Sequence, residues 1–94
     1  MSKIPSKELI ESVHRFPGPY TFKAIGLSDQ YFVARVVAAV REEMEYETDP
    51  PVETRSTADG RHVSVTVELF FENADRILLI YERLLTVPGL VLLF

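Results

Sequence analysis

The sequence predicts an α+β domain, a two-layer sandwich in which two helices cover one face of a four-stranded antiparallel sheet. Residues 62–71 alternate apolar and polar side chains at every step, which is typical of a strand with one buried face. Apolar residues recur at three- and four-residue steps in 32–44 and again in 74–85, as in amphipathic helices. A chain of 94 residues, 47% of them hydrophobic, suffices for one packed core but not for two.

Residues 1–17 are predicted to form an N-terminal arm in front of a single domain of residues 18–94. The arm can contain a short helix over 5–14, opened by Pro5 or Ser6. This helix would turn three apolar side chains to one side: Leu9, Ile10 and Val13. A helix of this length is marginal unless it packs against the domain, and the prolines that follow end it.

Three stretches are predicted as the first three strands. Residues 20–25 alternate, and so do 62–71, while 52–56 is a short extended stretch after two prolines. Asp59 and Gly60 form a strong turn signal, because glycine adopts positive φ without steric cost. The second and third strands are therefore expected to form a hairpin.

The first helix of the domain is predicted to begin just after the first strand. Ser28 is the expected N-cap, and Asp29 would lie in the first turn near the positive end of the helix dipole. Leu27 is placed to pack onto Phe32 as a hydrophobic staple. The helix is expected to end near Met44, before an acidic stretch that suits neither the core nor the negative end of the dipole.

The last two elements complete the order β-α-β-β-α-β. Asn73 is the expected cap of a helix over 74–85, and Pro88 with Gly89 turns the chain into a last strand over 90–94. This order is that of the ferredoxin-like split βαβ fold, in which strands one and three are central and both helices lie on one face. The other face of the sheet is open unless a partner covers it.

Composition excludes several classes of function. The net charge of −4 opposes long-range attraction to phosphate backbones, so nucleic acid is not an expected partner. The chain has no cysteine, and so no disulfide, thiolate nucleophile or Cys-x-x-Cys metal loop. The N-terminus has no apolar signal-peptide core, and no stretch approaches the roughly 20 apolar residues of a membrane span. We expect a soluble, cytoplasmic protein.

The polar side of the third strand is the candidate ligand site. With the neighbouring first strand it forms a polar ladder that could hold a small zwitterion, and the residues chosen for that site are Lys23, His62, Ser64 and Thr66. A solvated sheet face is the alternative, since alternation alone predicts it. A hydrolase would need a base beside the Ser64 hydroxyl, a group that orients that base and an oxyanion site, and the sequence offers no such set.

No cofactor or metal site is expected. The acidic run in 42–49 lacks the Asp, Asn and Gly spacing of a calcium loop and is predicted as a solvated helix end. His14 and His62 lie on different elements without ligand spacing. An RNA-recognition module would need aromatic residues on the central strands, where Ser64 and Thr66 stand instead.

The chain also resembles a known family. The similarity lies in Phe16-Pro17, Tyr20, Phe22-Lys23, Gly26, Ser56, Gly60, Ser64-Val65-Thr66-Val67, Ile80-Tyr81, Leu84 and Pro88-Gly89. These residues are similar to the small bacterial YbeD-like family, whose function is unknown. The resemblance implies an ACT-like ferredoxin fold, similar to regulatory domains that bind amino acids, and it implies no catalytic residue. This sequence departs from the family pattern at His62, where relatives commonly have an aromatic residue such as Tyr. It also departs at Leu78 and Leu79, where polar residues are expected.

These observations lead to a small regulatory module that is not an enzyme and that binds a small effector such as an amino acid. The alternative is an adaptor that acts through protein contacts alone. We also expect a homodimer, because the last strand is an edge without a charge or proline and the second helix has extra apolar residues. The residues chosen for that interface are Leu78, Leu79, Leu90, Leu92 and Phe94. The N-terminal arm is the other candidate to cover this surface.

Overall fold

The computed structural model describes residues 4–94. The helices and strands of that part of the chain are, in order, α1 Lys7–Val13, β1 Gly18–Leu27, α2 Phe32–Met44, β2 Glu53–Ser56, β3 His62–Phe71, α3 Asp75–Leu84 and β4 Leu90–Leu93. After the short α1 the order is β-α-β-β-α-β, so the ferredoxin-like α+β class is confirmed.

The four strands form one antiparallel sheet in the order β2-β3-β1-β4. β1 and β3 lie at its centre and pair over their full length, from Gly18 opposite Phe71 to Leu27 opposite His62. β2 pairs only with β3, and β4 only with β1, so these two short strands are the edges. The predicted central position of the first and third strands is confirmed.

The alternation along β3 separates its two faces as predicted. Val63, Val65 and Val67 are buried beneath the helices, and Val65 is 0% exposed. Ser64 and Thr66 are half-buried on the opposite face. Each fully buried aliphatic side chain of this kind contributes about 1.5–3 kcal/mol to the free energy of unfolding, so the facing of β3 is strongly determined.

Both long helices pack on the same side of the sheet. Their core side chains are Phe32, Val36 and Val40 from α2, and Ile77, Ile80 and Leu84 from α3. Gly26 of β1 lies directly beneath the Phe32 ring, and a Cβ built at this position would overlap that ring. Glycine is therefore required for the close approach of α2 to the sheet. No helix in residues 4–94 combines the length and the apolar character that crossing a membrane would need.

The arm packs on the helical side of the domain. Ser6 caps α1, its Oγ accepting the N–H of Leu9 at 3.1 Å. Ile10 is 1% exposed and belongs to the core. Lys7 Nζ lies 2.8 Å from Asp75 Oδ1 at the start of α3. The described part of the arm therefore covers helices rather than the open sheet face, and the first three residues of the predicted arm lie outside the described residues.

The predicted start of the first domain helix is wrong. The sequence predicts Ser28 as its N-cap, but α2 begins at Phe32. The N–H of Ser28 donates to the carbonyl oxygen of Arg61 at 2.9 Å, which keeps this part of the chain at the end of the sheet. Asp29 serves the loop instead, because its Oδ1 accepts the N–H of Tyr31 at 2.7 Å.

The expected packing of Leu27 onto Phe32 is also wrong. β1 continues through Leu27, whose N–H donates to the carbonyl oxygen of Gly89 at 2.9 Å. The Leu27 side chain therefore lies on the open face and is 52% exposed, whereas Phe32 is fully buried on the other side of the sheet.

Two turn signals have the geometry that their residues predict. Gly60 has a φ of +72° in the hairpin between β2 and β3, and its N–H donates to the carbonyl oxygen of Thr57 at 3.0 Å. Asn73 Oδ1 accepts the N–H of Asp75 at 2.9 Å, which satisfies a backbone donor in the first turn of α3. The boundary residue of that helix is Ala74, one position later than predicted.

Candidate functional site on the open sheet face

The face of the sheet away from α2 and α3, called the open face from here on, has two halves of different character. Residues paired across strands share a face, so the register gives the layout. From the β4 edge to the β2 edge, one row of side chains is Phe94, Lys23, Thr66 and Glu53, and the next is Leu92, Ile25, Ser64 and Arg55. In these two rows the side chains of β2 and β3, together with Lys23 of β1, are polar and are called the polar half; the side chains of β4, together with Ile25 of β1, are apolar and belong to the apolar half.

A shallow cavity of about 220 Å³ lies on the polar half. It is lined by Lys23, Glu53, Thr54, Arg55, Ser64 and Thr66. Three of the four residues chosen from the sequence therefore border one cavity. β2 adds the carboxylate of Glu53 and the guanidinium of Arg55, which the sequence does not predict, because residues 53–56 are all polar and only the register of β2 on β3 places these two side chains here.

The charged groups at this cavity are available to a ligand. Within residues 4–94, neither Lys23, Glu53 nor Arg55 forms a side-chain hydrogen bond or ion pair with another residue. Other basic side chains of the described chain do form ion pairs: Lys7, Arg35, Arg41, Arg61, Arg76 and Arg83. The cavity thus brings together two cations and one anion whose charges are not already compensated.

His62 does not border the cavity. It lies opposite Leu27 at the far end of β3, and its backbone N–H donates to Thr57 Oγ1 at 3.1 Å. Ser64 Oγ donates to the carbonyl oxygen of Arg55 at 3.4 Å, and no imidazole bonds to it within the described residues. The arrangement therefore provides a ladder of hydroxyls and charges but no activated nucleophile.

The apolar half consists of Ile25, Leu27, Leu92 and Phe94. Ile25 lies directly opposite Leu92, and the backbone of Phe94 exchanges two hydrogen bonds with Lys23, at 2.8 and 3.0 Å. Phe94 is 59% exposed. These side chains form one patch, because each is adjacent to the next along or across the two strands.

The other residues chosen for an interface lie elsewhere. Leu78 and Leu90 are half-buried and pack against the core, so they offer less exposed surface. Leu79 is 45% exposed on the outer side of α3. Leu92 and Phe94 lie together on the open face, whereas Leu79 lies in the helical layer on the other side of the sheet.

The acidic run is partly occupied by contacts within the fold. Arg83 of α3 donates to Glu42 Oε1 at 2.6 Å and to Glu43 Oε1 at 3.3 Å, and Arg76 donates to the carbonyl oxygen of Glu43 at 2.8 Å. These bonds join the end of α2 to α3, so the two acids are not merely solvated. Residues 4–94 contain no group of three or more histidine, aspartate or glutamate side chains that could hold a metal ion.

The model of a protein family of unknown function, DUF493, matches residues 11–93 of this sequence. The chain belongs to the DUF493 family. A curated relative, the UPF0250 protein YE3006 of Yersinia enterocolitica serotype O:8 / biotype 1B, is 28% identical over 82 residues, which cover 87% of each chain. These matches confirm the resemblance to the small bacterial YbeD-like proteins.

A solved structure shares the DUF493 chain's fold. It is the ACT domain from the GTP pyrophosphokinase of Chlorobium tepidum, which is 11% identical in sequence and superimposes with a TM-score of 0.59. The superposition covers 82% of the DUF493 chain and 95% of the ACT domain. The ACT-like fold is thus shown, and fold alone does not determine function.

Proposed function

We propose that this chain is a small, non-catalytic regulatory module that binds a zwitterionic effector, such as an amino acid, on the polar half of the open face. The observation that supports it most is that Lys23, Glu53 and Arg55 border one cavity and pair with no side chain in residues 4–94. Uncompensated charges of both signs suit a ligand that itself carries both signs. The ACT-like fold is consistent with a regulatory role.

Each end of an amino acid has a partner at this cavity. The α-carboxylate would lie between the Lys23 ammonium and the Arg55 guanidinium, which can bind a carboxylate through two parallel hydrogen bonds. The α-ammonium would lie against the Glu53 carboxylate. Ser64 and Thr66 provide hydroxyls that can donate or accept between these charges.

Binding at this cavity should be weak and sensitive to salt. The cavity is shallow, and the side chains of Glu53 and Arg55 are exposed at the sheet edge. Exposed ion pairs contribute only about 0.2–1 kcal/mol each and are screened by added salt. We therefore expect a dissociation constant on the order of millimolar in low salt. The module would then regulate a protein partner in the cytoplasm.

An NMR titration tests this proposal. The ¹⁵N-labelled chain is titrated with each common amino acid to about 20 mM in low salt, a range suited to millimolar affinity. We expect saturable shifts of the backbone amides of Lys23, Arg55 and Ser64 with at least one amino acid.

Three variants locate the binding. Arg55→Ala and Glu53→Gln should abolish the saturable shifts, because each removes one charge from the cavity. Arg15→Ala removes an exposed cation outside the cavity and should bind as the wild type does. A panel in which no amino acid gives a saturable shift would contradict the proposal.

An adaptor without a small-molecule ligand is the second candidate. The apolar half of the open face favours it, since exposed contiguous apolar side chains commonly mark protein contacts. In that case the titration gives no saturable shift, and substitutions in the apolar half alone affect the chain's associations.

A further inference from the structure

We propose that the apolar half of the open face binds a second copy of this chain, with the two sheets packed face to face around a two-fold axis. This inference goes beyond the proposed function, because it concerns a second copy of the chain and does not require an effector. The surface is formed by Ile25, Leu27, Leu92 and Phe94.

The patch is exposed and continuous. Leu27, Leu92 and Phe94 are 52%, 38% and 59% exposed. Ile25 joins them, because it lies two residues from Leu27 on β1 and directly opposite Leu92 on β4. Single exposed apolar residues are ordinary on a protein surface, but a continuous patch between two strands indicates a contact surface.

The distribution of charge indicates that the occupant is a second copy. The open face carries two basic residues, Lys23 and Arg55, and two acidic residues, Glu53 and Glu68, so its formal charges cancel. The whole chain has a net charge of −4, which therefore lies on its other surfaces. Two copies can therefore meet through this neutral face without net repulsion, although each chain as a whole is negative.

The patch is complementary to itself. With a two-fold axis parallel to the strands and between β1 and β4, Leu92 of one copy lies over Ile25 of the other, and the reverse contact forms by symmetry. In the next row, Phe94 lies over Lys23 of the other copy, whose methylene stem and ammonium can pack on the ring. Packed sheets stand about 10 Å apart, which suits side chains of this size.

The size of the patch predicts a weak dimer. Stable interfaces bury about 800 Å² on each partner, more than four partly covered side chains provide. Association should therefore depend on concentration within the micromolar to millimolar range. With the axis between β1 and β4, the strands β2 and β3 of each copy extend beyond the edge of the other, whereas Lys23 lies beneath Phe94 of the other copy, so pairing and an effector compete for Lys23.

Sedimentation velocity from about 10 μM to about 1 mM, the range of a weak interface, tests the pairing. The wild-type chain should change from the mass of one chain to that of two. Leu92→Lys should remain a single chain throughout, because it places a cation opposite Ile25 and beside Lys23. Leu79→Lys is the matched control: it adds the same charge at an exposed leucine of α3 and should pair as the wild type does.

A second measurement keeps the test independent of the folding of one variant. Amides of Ile25 and Leu92 should shift with concentration in the wild-type chain, and Phe94→Ser should remove those shifts. A single chain at about 1 mM overturns the inference and leaves the face to a different partner. A dimer abolished by Leu79→Lys but not by Leu92→Lys or Phe94→Ser also overturns it, because the contact would then lie on α3. Amino-acid binding by Leu92→Lys is scored separately, so either proposal can fail alone.

Discussion

The phenolic oxygens of Tyr20 and Tyr81 lie 2.8 Å apart inside the core, where β1 meets α3. Both side chains are buried. The centroid of the Phe22 ring lies 5.1 Å from that of the Tyr20 ring and 5.0 Å from that of the Tyr81 ring. One hydroxyl donates to the other, so each of these buried oxygens has a partner within the core.

Removing one of these hydroxyls should lower the free energy of unfolding, because the other hydroxyl is then left without a partner. Tyr81→Phe leaves the Tyr20 hydroxyl buried without its partner, at a cost of about 1–3 kcal/mol. The double variant Tyr20→Phe/Tyr81→Phe leaves no orphaned group and should cost less than the sum of the single variants. Urea unfolding of the wild type, the two single variants and the double variant measures the free energy of unfolding of each. Costs that simply add would contradict the hydrogen bond between the two tyrosines.

The same tyrosine should make stability depend on alkaline pH. Burial raises the pKa of Tyr81, and the hydrogen bond with Tyr20 raises it further, so the folded chain keeps this proton where the unfolded chain releases it. The contribution of the neutral phenol is complete below the unfolded pKa of about 10 and is lost as the pH rises above it. Between about pH 9 and about pH 11, the free energy of unfolding should fall more steeply for wild type than for Tyr81→Phe. An equal fall of the free energy of unfolding with pH in both chains would contradict a raised pKa of Tyr81.

The facing of β3 predicts opposite outcomes at adjacent positions. Val65→Asp places an unpaired charge in the helix-sheet core, where Val65 is 0% exposed, and should abolish the cooperative melting transition. Thr66→Asp places the same side chain on the open face and should leave the transition within about 1 kcal/mol of wild type. Circular dichroism on heating compares the two, and similar loss in both would mean that the facing is wrong.

Gly60 separates conformational strain from steric overlap. Its φ is +72°, and a Cβ built there meets no atom within 4 Å, so any cost of a larger residue comes from the backbone alone. Gly60→Val should lower the free energy of unfolding by about 1 kcal/mol or more. Gly60→Asn is the control and should cost less, because asparagine tolerates the left-handed region. An unchanged urea midpoint for Gly60→Val would speak against this turn.

Much of the fold follows from local sequence patterns. The exceptions arise where contacts with residues distant in sequence determine the local structure. Alternation is a property of a few neighbouring residues, so the facing of Val65 and Thr66 could be read directly. Ser28 has the side chain of an N-cap, yet its N–H is taken by Arg61, which is distant in sequence. Likewise, Glu42 pairs with Arg83 only because α2 and α3 pack side by side.

The residues of the candidate site also differ in whether local pattern or a distant contact places them. Lys23, Ser64 and Thr66 could be predicted, because β1 and β3 alternate clearly and lie side by side in this topology. Arg55 was missed, since the register of β2 on β3 depends on the exact length of the hairpin loop. His62 lies on the same face as Ser64 and Thr66, but its position at the end of the strand takes it away from the cavity.

One wall of the cavity is also the least protected part of the sheet. β2 has four residues, all exposed, and pairs with β3 alone. A segment with few buried contacts and backbone groups near solvent separates from its neighbour at a low free energy, so its amides exchange with deuterium sooner than those of β1. Glu53 and Arg55 can therefore move relative to Lys23 without disturbing the core. A ligand that bridges both strands would slow this exchange, since it binds only while β2 is in place.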